Sequence, residues 1–464
     1  MIMMQNYDID PSRRRFLRNL GFAALGTTVA GCIASGKDDD TDKPTGEMTY
    51  RTNPNTGDTV SILGYGCMRF PTLGMANGTD DQTIDQEAVN RLIDKAIESG
   101  VNYFDTSPAY CQGHSEEATG IALARHPRDK YFIATKLSNF APQTWPHDKS
   151  VEMFENSLRY LQTDYVDYLL LHAIGGGGME NFNNRYIDNG ILDYLKDLRA
   201  KGTIRNLGFS FHGDIEVFDN ALAMHDRGEV HWDFVQIQLN YVDWNGSKEE
   251  SKRNVDAEYL YNELHQRGIP VVIMEPLLGG RLANVPIAVV DQMKERRPDD
   301  SVASWAFRFA GTPEGILTVL SGMTYMEHLT DNLATYSPLE PISAEEDAFL
   351  TRAAHEILSN NTIPCNYCNY CMPCPYGLDI PAILTHYNRC IIDGNKPTDT
   401  ADPDYVAQRR AFLYGYDRTV PRLRQADRCV ACGTCVSHCP QGIKIPAELH
   451  KIDKFVENLR QNKA

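Results

Sequence analysis

The stretch Gln86 to Ser107, QEAVNRLIDKAIESGVNYFDTS, contains one full unit of the pattern that decides the fold. Its first part predicts an amphipathic helix with these apolar residues on one face: Ala88, Leu92, Ile93, Ala96 and Ile97. Gly100 can end that helix, and the short run Tyr103 to Asp105 then predicts a buried strand that ends on a carboxylate. A helix that leads through a glycine into a short apolar strand is typical of a parallel sheet.

The same unit recurs along the chain from Thr59 to Asn332. Eight runs predict strands: Val60 to Tyr65, Tyr103 to Asp105, Tyr131 to Lys136, Val166 to His172, Ile204 to Phe211, Phe234 to Tyr241, Val271 to Glu275 and Gly315 to Leu320. Eight strand–helix units over residues 48–345 favour a (β/α)8 TIM barrel, an α/β fold, over an open doubly wound sheet. No G-x-G-x-x-G fingerprint follows a predicted strand, so a Rossmann fold has little support.

Polar residues with catalytic potential stand where the predicted strands end. Asp105 ends the second strand and Tyr110 follows in its loop, while Lys136 ends the third strand and His172 the fourth. Barrels of this class carry their active sites at the C-terminal ends of the strands, so these four residues are predicted to be catalytic. Each alone has a structural explanation, since a strand-end histidine is often structural and an aspartate before Thr-Ser can cap a helix.

Two cysteine strings near the C-terminus contain eight of the twelve cysteines. The first string, C-x2-C-x2-C-x2-C-P, consists of Cys365, Cys368, Cys371 and Cys374. The second string, C-x2-C-x2-C-x3-C-P, consists of Cys429, Cys432, Cys435 and Cys439. This spacing is typical of two [4Fe-4S] clusters with crossed ligation, in which three cysteines of one string share a cluster with the last cysteine of the other. Cys439 would then join the first string's cluster, and Cys374 the second's.

Two zinc sites or a disulfide-bonded knot are the alternatives to clusters. A third cysteine in register, followed by Cys-Pro, favours iron–sulfur over zinc. The first string is one residue short of the bacterial pattern before its last cysteine, so a single cluster is left open. The two strings continue into related segments, CPYGLDIP from Cys374 and CPQGIKIP from Cys439, which indicates an internal duplication. Residues 346–464 resemble the α-helical ferredoxin type found in the iron–sulfur subunits of succinate dehydrogenases.

The composition excludes some partners and bounds the number of domains. The chain has 464 residues, of which 42% are hydrophobic and 23% charged, enough for one large and one smaller core. Its net charge of −17 disfavours nucleic acid and anionic lipid, which are polyanions. Contact with a membrane is therefore expected only through a signal or a lipid anchor.

The first 32 residues resemble a twin-arginine export signal of the lipoprotein type. Ser12-Arg13-Arg14-Arg15-Phe16-Leu17 precedes an apolar run from Leu20 to Ala30 that is too short to span a bilayer. The run ends at Val29-Ala30-Gly31-Cys32, which resembles a lipobox, and residues 33–47 predict a linker. We therefore expect export to the periplasm or cell envelope with a lipid on Cys32, against the alternative of a basic, disordered tail.

Residues 48–345 resemble the aldo-keto reductase family. The resemblance rests on the segment Gly100 to Ser107, on Tyr110 with Ser115-Glu116, on Ala134-Thr135-Lys136, and on Leu169-Leu170-Leu171-His172. All four members of the family's Asp, Tyr, Lys, His tetrad are present. The resemblance implies that Tyr110 gives a proton to the carbonyl oxygen, with Lys136 lowering its pKa and Asp105 holding the ammonium. It implies that His172 polarises the same oxygen.

The resemblance also implies a nicotinamide dinucleotide, NADPH or NADH, bound over the strand ends. Its expected contacts are Ser210 and Gln236 at the carboxamide, Tyr241 stacked on the ring, and Ser321 and Asn332 in the adenosine-phosphate segment. Phe211 stands where the family commonly has an asparagine, which removes one amide contact. His328 stands where an arginine often binds the 2′-phosphate, and a neutral imidazole binds phosphate less well. A preference for NADP is therefore in doubt.

Three functions are compatible with a chain that has both the predicted barrel and the predicted iron–sulfur domain. The chain is predicted to be an oxidoreductase that interconverts carbonyl and alcohol substrates by hydride transfer, with clusters that stabilise or regulate it. The alternative is an exported protein that passes substrate electrons through its clusters to a redox partner protein. A non-enzymatic carrier that retains the barrel as a scaffold is the third, and the intact tetrad argues against it.

Overall fold

A computed structural model describes residues 46–77, 81–250, 256–360, 362–439 and 441–463. They form one compact unit that contains a barrel and a smaller helical domain. No helix among these residues is both long and apolar enough to cross a membrane. The predicted export signal and most of the linker lie outside the described residues.

Eight parallel strands close into a barrel, which confirms the predicted fold class. The barrel strands are β3 (Leu63–Gly66), β4 (Tyr103–Asp105), β5 (Phe132–Leu137), β6 (Val166–Leu171), β7 (Ile204–Ser210), β8 (Phe234–Gln238), β9 (Val271–Met274) and β10 (Ile316–Ser321). Each pairs with the next, and β10 pairs with β3 through Val319 and Leu63 to close the ring. The strands are buried on both faces, so they are almost continuously apolar.

The first predicted strand, Val60 to Tyr65, is two strands in the structure. Its first half lies in β2 (Thr59–Ser61), which pairs antiparallel with β1 (Tyr50–Thr52). The turn of this hairpin carries Asn53, whose buried amide donates to the hydroxyl of Tyr168 and to Asn206 Oδ1, both at 3.1 Å. The end of the hairpin and the start of the barrel strand are both buried, so the apolar run is continuous. The sequence therefore does not show the break between the two strands.

Helices follow the strands and are capped as the sequence predicts. The helices of the barrel region are Leu73–Asn77, Gln86–Glu98, Ser115–Leu123, His147–Tyr160, Gly178–Phe182, Ile191–Ala200, Ile215–Asp226, Tyr241–Glu250, Ala257–Gln266, Ile287–Arg296, Val302–Gly311, Met326–Tyr336 and Ala344–Ser359. Asp85 accepts a hydrogen bond from the Ala88 N–H at the start of Gln86–Glu98, and Gly100 follows that helix with a φ of 91°.

The helix Ala344–Ser359 packs on the barrel, although the predicted domain boundary lies at residues 345/346. Its buried Phe349, Leu350 and Ile357 belong to the core of the barrel. Glu346 closes a capping box with Ser343 and also accepts from the guanidinium of Arg308 at 3.0 Å. By its packing, this helix is the last element of the barrel.

The C-terminal domain consists of short helices around a second, smaller core. Its helices are Ile380–Ile392, Tyr405–Thr419, Thr434–Ser437 and Ile445–Arg460. The buried side chains of Ile383, Phe412 and Ile452 lie at the centre of this core. The predicted duplication is visible in the backbone, because Gly377 and Gly442 both have positive φ (78° and 66°) and each precedes a helix with proline in its first turn.

Candidate functional site

The strand ends bring the four predicted catalytic residues to one opening of the barrel. Asp105 is the last residue of β4, Lys136 lies near the end of β5, and His172 directly follows β6. These strands are parallel neighbours, so their carboxyl ends meet at the same face. Tyr110 enters the same space from the turn Tyr110–Gly113 that follows β4.

Lys136 and Asp105 form a buried ion pair. The ammonium Nζ donates to Asp105 Oδ1 at 2.5 Å and to the carbonyl oxygen of Thr106 at 2.9 Å. The side chains of Lys136 and Asp105 are 0% and 3% exposed, so water does not screen the pair. Burial lowers the pKa of Lys136 and raises that of Asp105, and the charge of each partner opposes the shift of the other.

Tyr110 lies against both the lysine and the histidine. The Lys136 ammonium is 4.8 Å from the centre of its ring, and the ring meets the imidazole of His172 edge to face at 5.9 Å between centroids. Positive φ angles at Cys111 and Gln112, 49° and 56°, turn the backbone back on itself just after Tyr110. This tight turn holds the phenol over the opening of the barrel.

The structure does not show the expected lowering of the pKa of Tyr110 by Lys136. Burial, and after it the charge of Asp105, raises the pKa of Tyr110 well above its usual value. The physical reason is that the phenol is desolvated, while the ion pair with Asp105 at 2.5 Å offsets part of the charge of Lys136. The phenol is therefore held in its protonated form.

His172 is oriented by residues that the sequence reasoning missed. The hydroxyl of Ser138 lies 2.6 Å from its Nδ1, and the hydroxyl of Ser107 lies 2.9 Å from that of Ser138. The buried guanidinium of Arg185 donates to the carbonyl oxygen of His172 at 2.6 Å. Burial, and after it the charge of Lys136, lowers the pKa of His172 well below its usual value. Ser107 and Ser138 each stand two residues after a predicted catalytic residue, Asp105 and Lys136 respectively. This spacing could have indicated both serines as site residues from the sequence.

Four of the five predicted dinucleotide contacts line one large cavity above the barrel. This cavity, of about 1630 Å³, is also lined by Asp105, Tyr110 and His172, and the four contacts are Ser210, Gln236, Ser321 and Asn332. Asn332 donates to the hydroxyl of Ser321 at 2.9 Å, so the two ends of the predicted adenosine segment meet. The amide of Gln236 donates to Asp105 Oδ2 at 3.3 Å, which ties this contact to the catalytic group.

Tyr241, the fifth predicted contact, is placed elsewhere. It begins the helix Tyr241–Glu250 instead of ending β8, which stops at Gln238. Its fully buried ring packs edge-on against Phe309, with 6.2 Å between ring centroids, and does not line the cavity. The predicted stacking of Tyr241 on the nicotinamide ring is not supported by this position, because the helix start turns the side chain towards the helix layer.

The cysteines of the two strings associate in the crossed sets. Burial, and after it the charges of Cys368, Cys365 and Cys439, raises the pKa of Cys371. In the other set, burial and then the charges of Cys429, Cys432 and Cys374 raise the pKa of Cys435. The last cysteine of each string thus acts on the other string, as crossed ligation requires.

A small cavity lies beside the second set. Cys374, Cys432 and Cys435 line this cavity of about 190 Å³ together with Cys371 of the first set. Among the described residues, no group of three or more His, Cys, Asp or Glu is arranged around a single metal ion. A cubane differs from a single ion because its four thiolates bind four separate iron atoms.

The first cysteine set borders the large cavity over the barrel, which the sequence did not predict. Cys368 and Cys439 line that cavity together with Tyr370, which lies between two cysteines of the first string. Arg69, in the loop after β3, donates to the carbonyl oxygen of Asn366 at 2.7 Å. The domains therefore share a wall at the barrel opening.

Comparisons with known proteins agree with this architecture. An uncharacterized oxidoreductase of Bacillus subtilis is 25% identical over 295 residues, which are 59% of this chain and 86% of that protein. The L-galactose dehydrogenase of Arabidopsis thaliana is 25% identical over 337 residues, 68% of this chain and 98% of that protein. A crystal structure of an aldo-keto reductase from Klebsiella pneumoniae in complex with NADPH has a TM-score of 0.51 at 23% identity, over 66% of this chain and 94% of that one, a likeness in fold.

Two family models match consecutive parts of the chain. The 4Fe-4S dicluster domain matches residues 364–443, which include all eight cysteines of the two strings. The aldo/keto reductase family matches residues 63–351, more than half of the chain. With its parallel barrel and its strand-end residues, this oxidoreductase belongs to the aldo/keto reductase family and carries a C-terminal 4Fe-4S domain.

Proposed function

We propose that the protein interconverts a carbonyl compound and its alcohol with a nicotinamide cofactor, and that Asp105, Tyr110, Lys136 and His172 are its catalytic residues. The observation that carries this proposal is the convergence of a phenol, a buried ammonium and an imidazole at the barrel opening. The Lys136 ammonium lies 4.8 Å from the centre of the Tyr110 ring, and the same ring packs against the imidazole of His172.

Tyr110 is proposed to deliver the proton. A tyrosine phenol is protonated at neutral pH and burial raises the pKa of Tyr110 further, so the proton stays on the hydroxyl until the carbonyl oxygen becomes basic. Lys136 then stabilises the phenolate as it forms, and Asp105 keeps the ammonium in place.

His172 is proposed to polarise the carbonyl oxygen as a neutral imidazole. Its pKa is lowered by burial, so it carries no charge at neutral pH. When the hydroxyl of Ser138 donates to Nδ1, the proton of the ring is on Nε2, which can donate to the substrate oxygen.

The residues of the large cavity fit a nicotinamide dinucleotide. Ser210 and Gln236 would bind its carboxamide, and Ser321 and Asn332 its adenosine end. The bound cofactor supplies the hydride. His328 lines the cavity as well, and burial lowers its pKa, which favours the neutral form and argues against tight binding of a 2′-phosphate.

We further propose two [4Fe-4S] clusters, one held by Cys365, Cys368, Cys371 and Cys439 and the other by Cys374, Cys429, Cys432 and Cys435. The support is the match of residues 364–443 to a 4Fe-4S dicluster domain, together with the effect of Cys439 on the pKa of Cys371 and of Cys374 on the pKa of Cys435. Counting iron and acid-labile sulfide after anaerobic purification tests this proposal. About eight iron atoms per chain would support two clusters, and about four would support one.

The N-terminal segment is proposed to direct export by the twin-arginine route, with a lipid anchor at Cys32. This route carries folded proteins with their cofactors, which suits a chain that must receive clusters before it leaves the cytoplasm. Mass spectrometry of the mature protein from a membrane fraction tests the proposal, because processing would leave Cys32 as a lipidated first residue. An unprocessed N-terminus on active protein would contradict it.

A second candidate function is transfer of substrate electrons to an outside acceptor. The observation that favours it is the position of the cysteines, since Cys368 and Cys439 border the large cavity whereas Cys432 is exposed at the surface. Bleaching of the visible absorbance by a polyol, without added nucleotide, would support this second function. An unchanged spectrum with active, nucleotide-dependent turnover would favour the first function.

The main test is Tyr110→Phe, assayed with carbonyl and polyol panels and with both NADH and NADPH. Loss of the proton donor should lower kcat by about 100-fold or more, with unchanged iron content. Tyr376→Phe is the matched control, since this phenol is 50% exposed on the C-terminal domain. Turnover that survives Tyr110→Phe intact would exclude the proposed role of the tetrad.

A further inference from the structure

The loop that carries the first cysteine string forms part of the large cavity. Asn366, Cys368 and Tyr370 line it opposite the strand ends, and Cys439 lines it from the second string. A molecule bound at Tyr110 and His172 in this shared space can thus contact side chains of the iron–sulfur domain.

Two buried polar groups in this shared wall lack hydrogen-bond partners within the described structure. Asn366 is only 3% exposed, and neither its side-chain nitrogen nor its side-chain oxygen has a partner there. The Oε2 atom of Glu275 is likewise buried and without a partner among the described residues. Buried amides and carboxylates are normally paired, so two such groups lining one cavity indicate a ligand.

Both residues lie against Gly279. The Gly279 N–H acts on the carboxyl group of Glu275 and lowers its pKa. A Cβ on Gly279 would lie 2.5 Å from the Cα atom of Asn366, so the two loops are in backbone contact at this point. Glu275 itself adopts a φ of 55°, which is unusual for a side chain of its size.

The charged groups around this pair already have partners. Arg69 donates to the carbonyl oxygen of Asn366 at 2.7 Å, and Arg281 donates to Thr362 at 3.0 Å. Burial raises the pKa of Glu275, whereas the charge of Arg69 and the Gly279 N–H oppose that shift. Glu275 in turn raises the pKa of Tyr110, after the larger effects of burial, Asp105, Tyr370 and Cys67, so Glu275 lies within electrostatic range of the proposed proton donor.

We propose that Glu275 and Asn366 form a binding site for a vicinal diol at the junction of the two domains. A carboxylate accepts hydrogen bonds and an amide both donates and accepts them, so together they match two neighbouring hydroxyl groups. A carboxylated or phosphorylated group at this position would be repelled by Glu275, and an alkyl group would leave both residues unpaired.

Two sources can supply the diol. One is a hydroxylated substrate whose carbonyl carbon lies at Tyr110, in which case the iron–sulfur domain takes part in substrate selection. The other is a ribose of the dinucleotide. The substrate source deepens the proposed function and rests on it, whereas binding of a ribose does not require turnover.

The experiment uses the full, cluster-loaded protein and the variants Glu275→Ala and Asn366→Ala. Kinetics with glyceraldehyde and with propanal, which lacks the two hydroxyls, report the substrate source. Fluorescence titration with NADPH and NADH reports the ribose source. Asn369→Gly in the same cysteine loop is the control, since Asn369 is exposed and has a φ of 64° that glycine tolerates.

If a substrate binds there, each alanine variant should raise the KM for glyceraldehyde relative to propanal by about tenfold, with unchanged nucleotide affinity. If a ribose binds there, the Kd for the nucleotide should rise by about tenfold while the KM ratio stays constant. Glu275→Gln keeps an acceptor oxygen, so it should cause a smaller increase than Glu275→Ala in whichever of the two quantities changes. If neither quantity changes in variants with full iron content, the diol site is wrong.

Failure of the proposed function is a different result. If the unaltered protein reduces neither aldehyde, nor any carbonyl of a wider panel, the proposed reaction fails. The nucleotide titration, together with calorimetric titration of glyceraldehyde, would still decide whether Glu275 and Asn366 bind a diol.

Discussion

The barrel and the C-terminal domain hold their reactive side chains by different means. In the barrel, Asp105 and Lys136 lie on strands whose registers are set by continuous pairing, Asp105 opposite Ala134 and Lys136 opposite Leu170. In the C-terminal domain all string cysteines but Cys435 lie outside the helices, on segments where Tyr367, Asn369 and Ala431 have positive φ. Backbone pairing thus holds the barrel site without a cofactor, whereas the cysteine segments have only a small core and thiolates that must be kept together. We therefore expect the C-terminal domain to depend on its clusters and the barrel to be independent of them.

The largest expected effect is that of Cys439→Ser. This variant removes the proposed fourth ligand of the first cluster, so iron content should fall by about half or more. Limited proteolysis should then cleave within residues 362–463 while the barrel stays protected, because the core of this domain is smaller than that of the barrel and includes Cys439 itself. Mass spectrometry of the fragments measures the result.

Cys390→Ala is the control for that variant. Cys390 is a buried cysteine of the same domain that lies outside the strings, 3.5 Å from the imidazole of His386. Its loss should lower stability without lowering iron content. If Cys439→Ser kept all of its iron, the crossed ligation would be wrong.

Lys136→Met should destabilise the barrel alone, by about 3–5 kcal/mol, because it leaves the buried carboxylate of Asp105 without a positively charged partner. Urea unfolding followed by tryptophan fluorescence measures this effect, and iron content should not change. The double variant Lys136→Met/Asp105→Asn should recover much of the loss, since no uncompensated charge then remains. If the single and double variants were equally stable, an unpaired buried charge on Asp105 would not be the cause of the loss, and the prediction would be wrong.

Glu346→Gln should weaken the packing of the last barrel helix. Burial opposes ionisation of this carboxyl, but Arg308, the Ser343 N–H and Arg297 together lower its pKa from 4.5 to about 2. The carboxylate thus contributes stability above pH 4.5. At about 1.4 kcal/mol per pKa unit this is at most about 3.5 kcal/mol, and solvent screening of the partly exposed group lowers it. That contribution is lost as the pH falls from 4.5 towards 2.

Unfolding curves between pH 7 and 3 measure the prediction for Glu346. Trp305, which packs against Phe349 of this helix, reports the transition. The difference between Glu346→Gln and the unaltered protein should shrink as the pH falls. Glu345→Gln, at an exposed neighbouring position, should show no difference at any pH. A constant difference for Glu346→Gln would mean that its charge does not matter.

Gly279→Ala and Gly280→Ala test the contact between the two loops at the domain junction, and Gly280→Ala has the smallest expected effect on stability. Both glycines have positive φ, 69° and 97°, so alanine should cost about 1–2 kcal/mol at Gly280 and more at Gly279, where the added Cβ would lie 2.4 Å from the backbone oxygen of Asn366. Only Gly279 also touches Asn366, whereas a Cβ on Gly280 meets nothing within 4 Å. Gly279→Ala should therefore disturb the cluster spectrum in addition, and equal spectra for the two variants would show that the loops are not in contact.

The barrel was predictable from local patterns, and its exceptions have physical causes. Strands such as Val166–Leu171 are apolar because both of their faces are buried, so the sequence marks them clearly. The same pattern led to the prediction of one strand from Val60 to Tyr65, because burial alone does not show where one strand ends and the next begins. Tyr241 was predicted to end a strand, but it begins the next helix, because the sequence does not show where the backbone changes direction between the two elements.

The sequence by itself determined the kind of chemistry: a phenol, an ammonium and an imidazole at strand ends, and eight thiols at cluster spacing. These features depend on residue type and on neighbours along the chain, which the sequence records directly. Only the tertiary structure decided that Ser138 orients His172, that Asp105 pairs with Lys136, and that Asn366 packs against Gly279. Those contacts join residues far apart in the chain, and they follow from the closure of the barrel and the docking of two folded bodies.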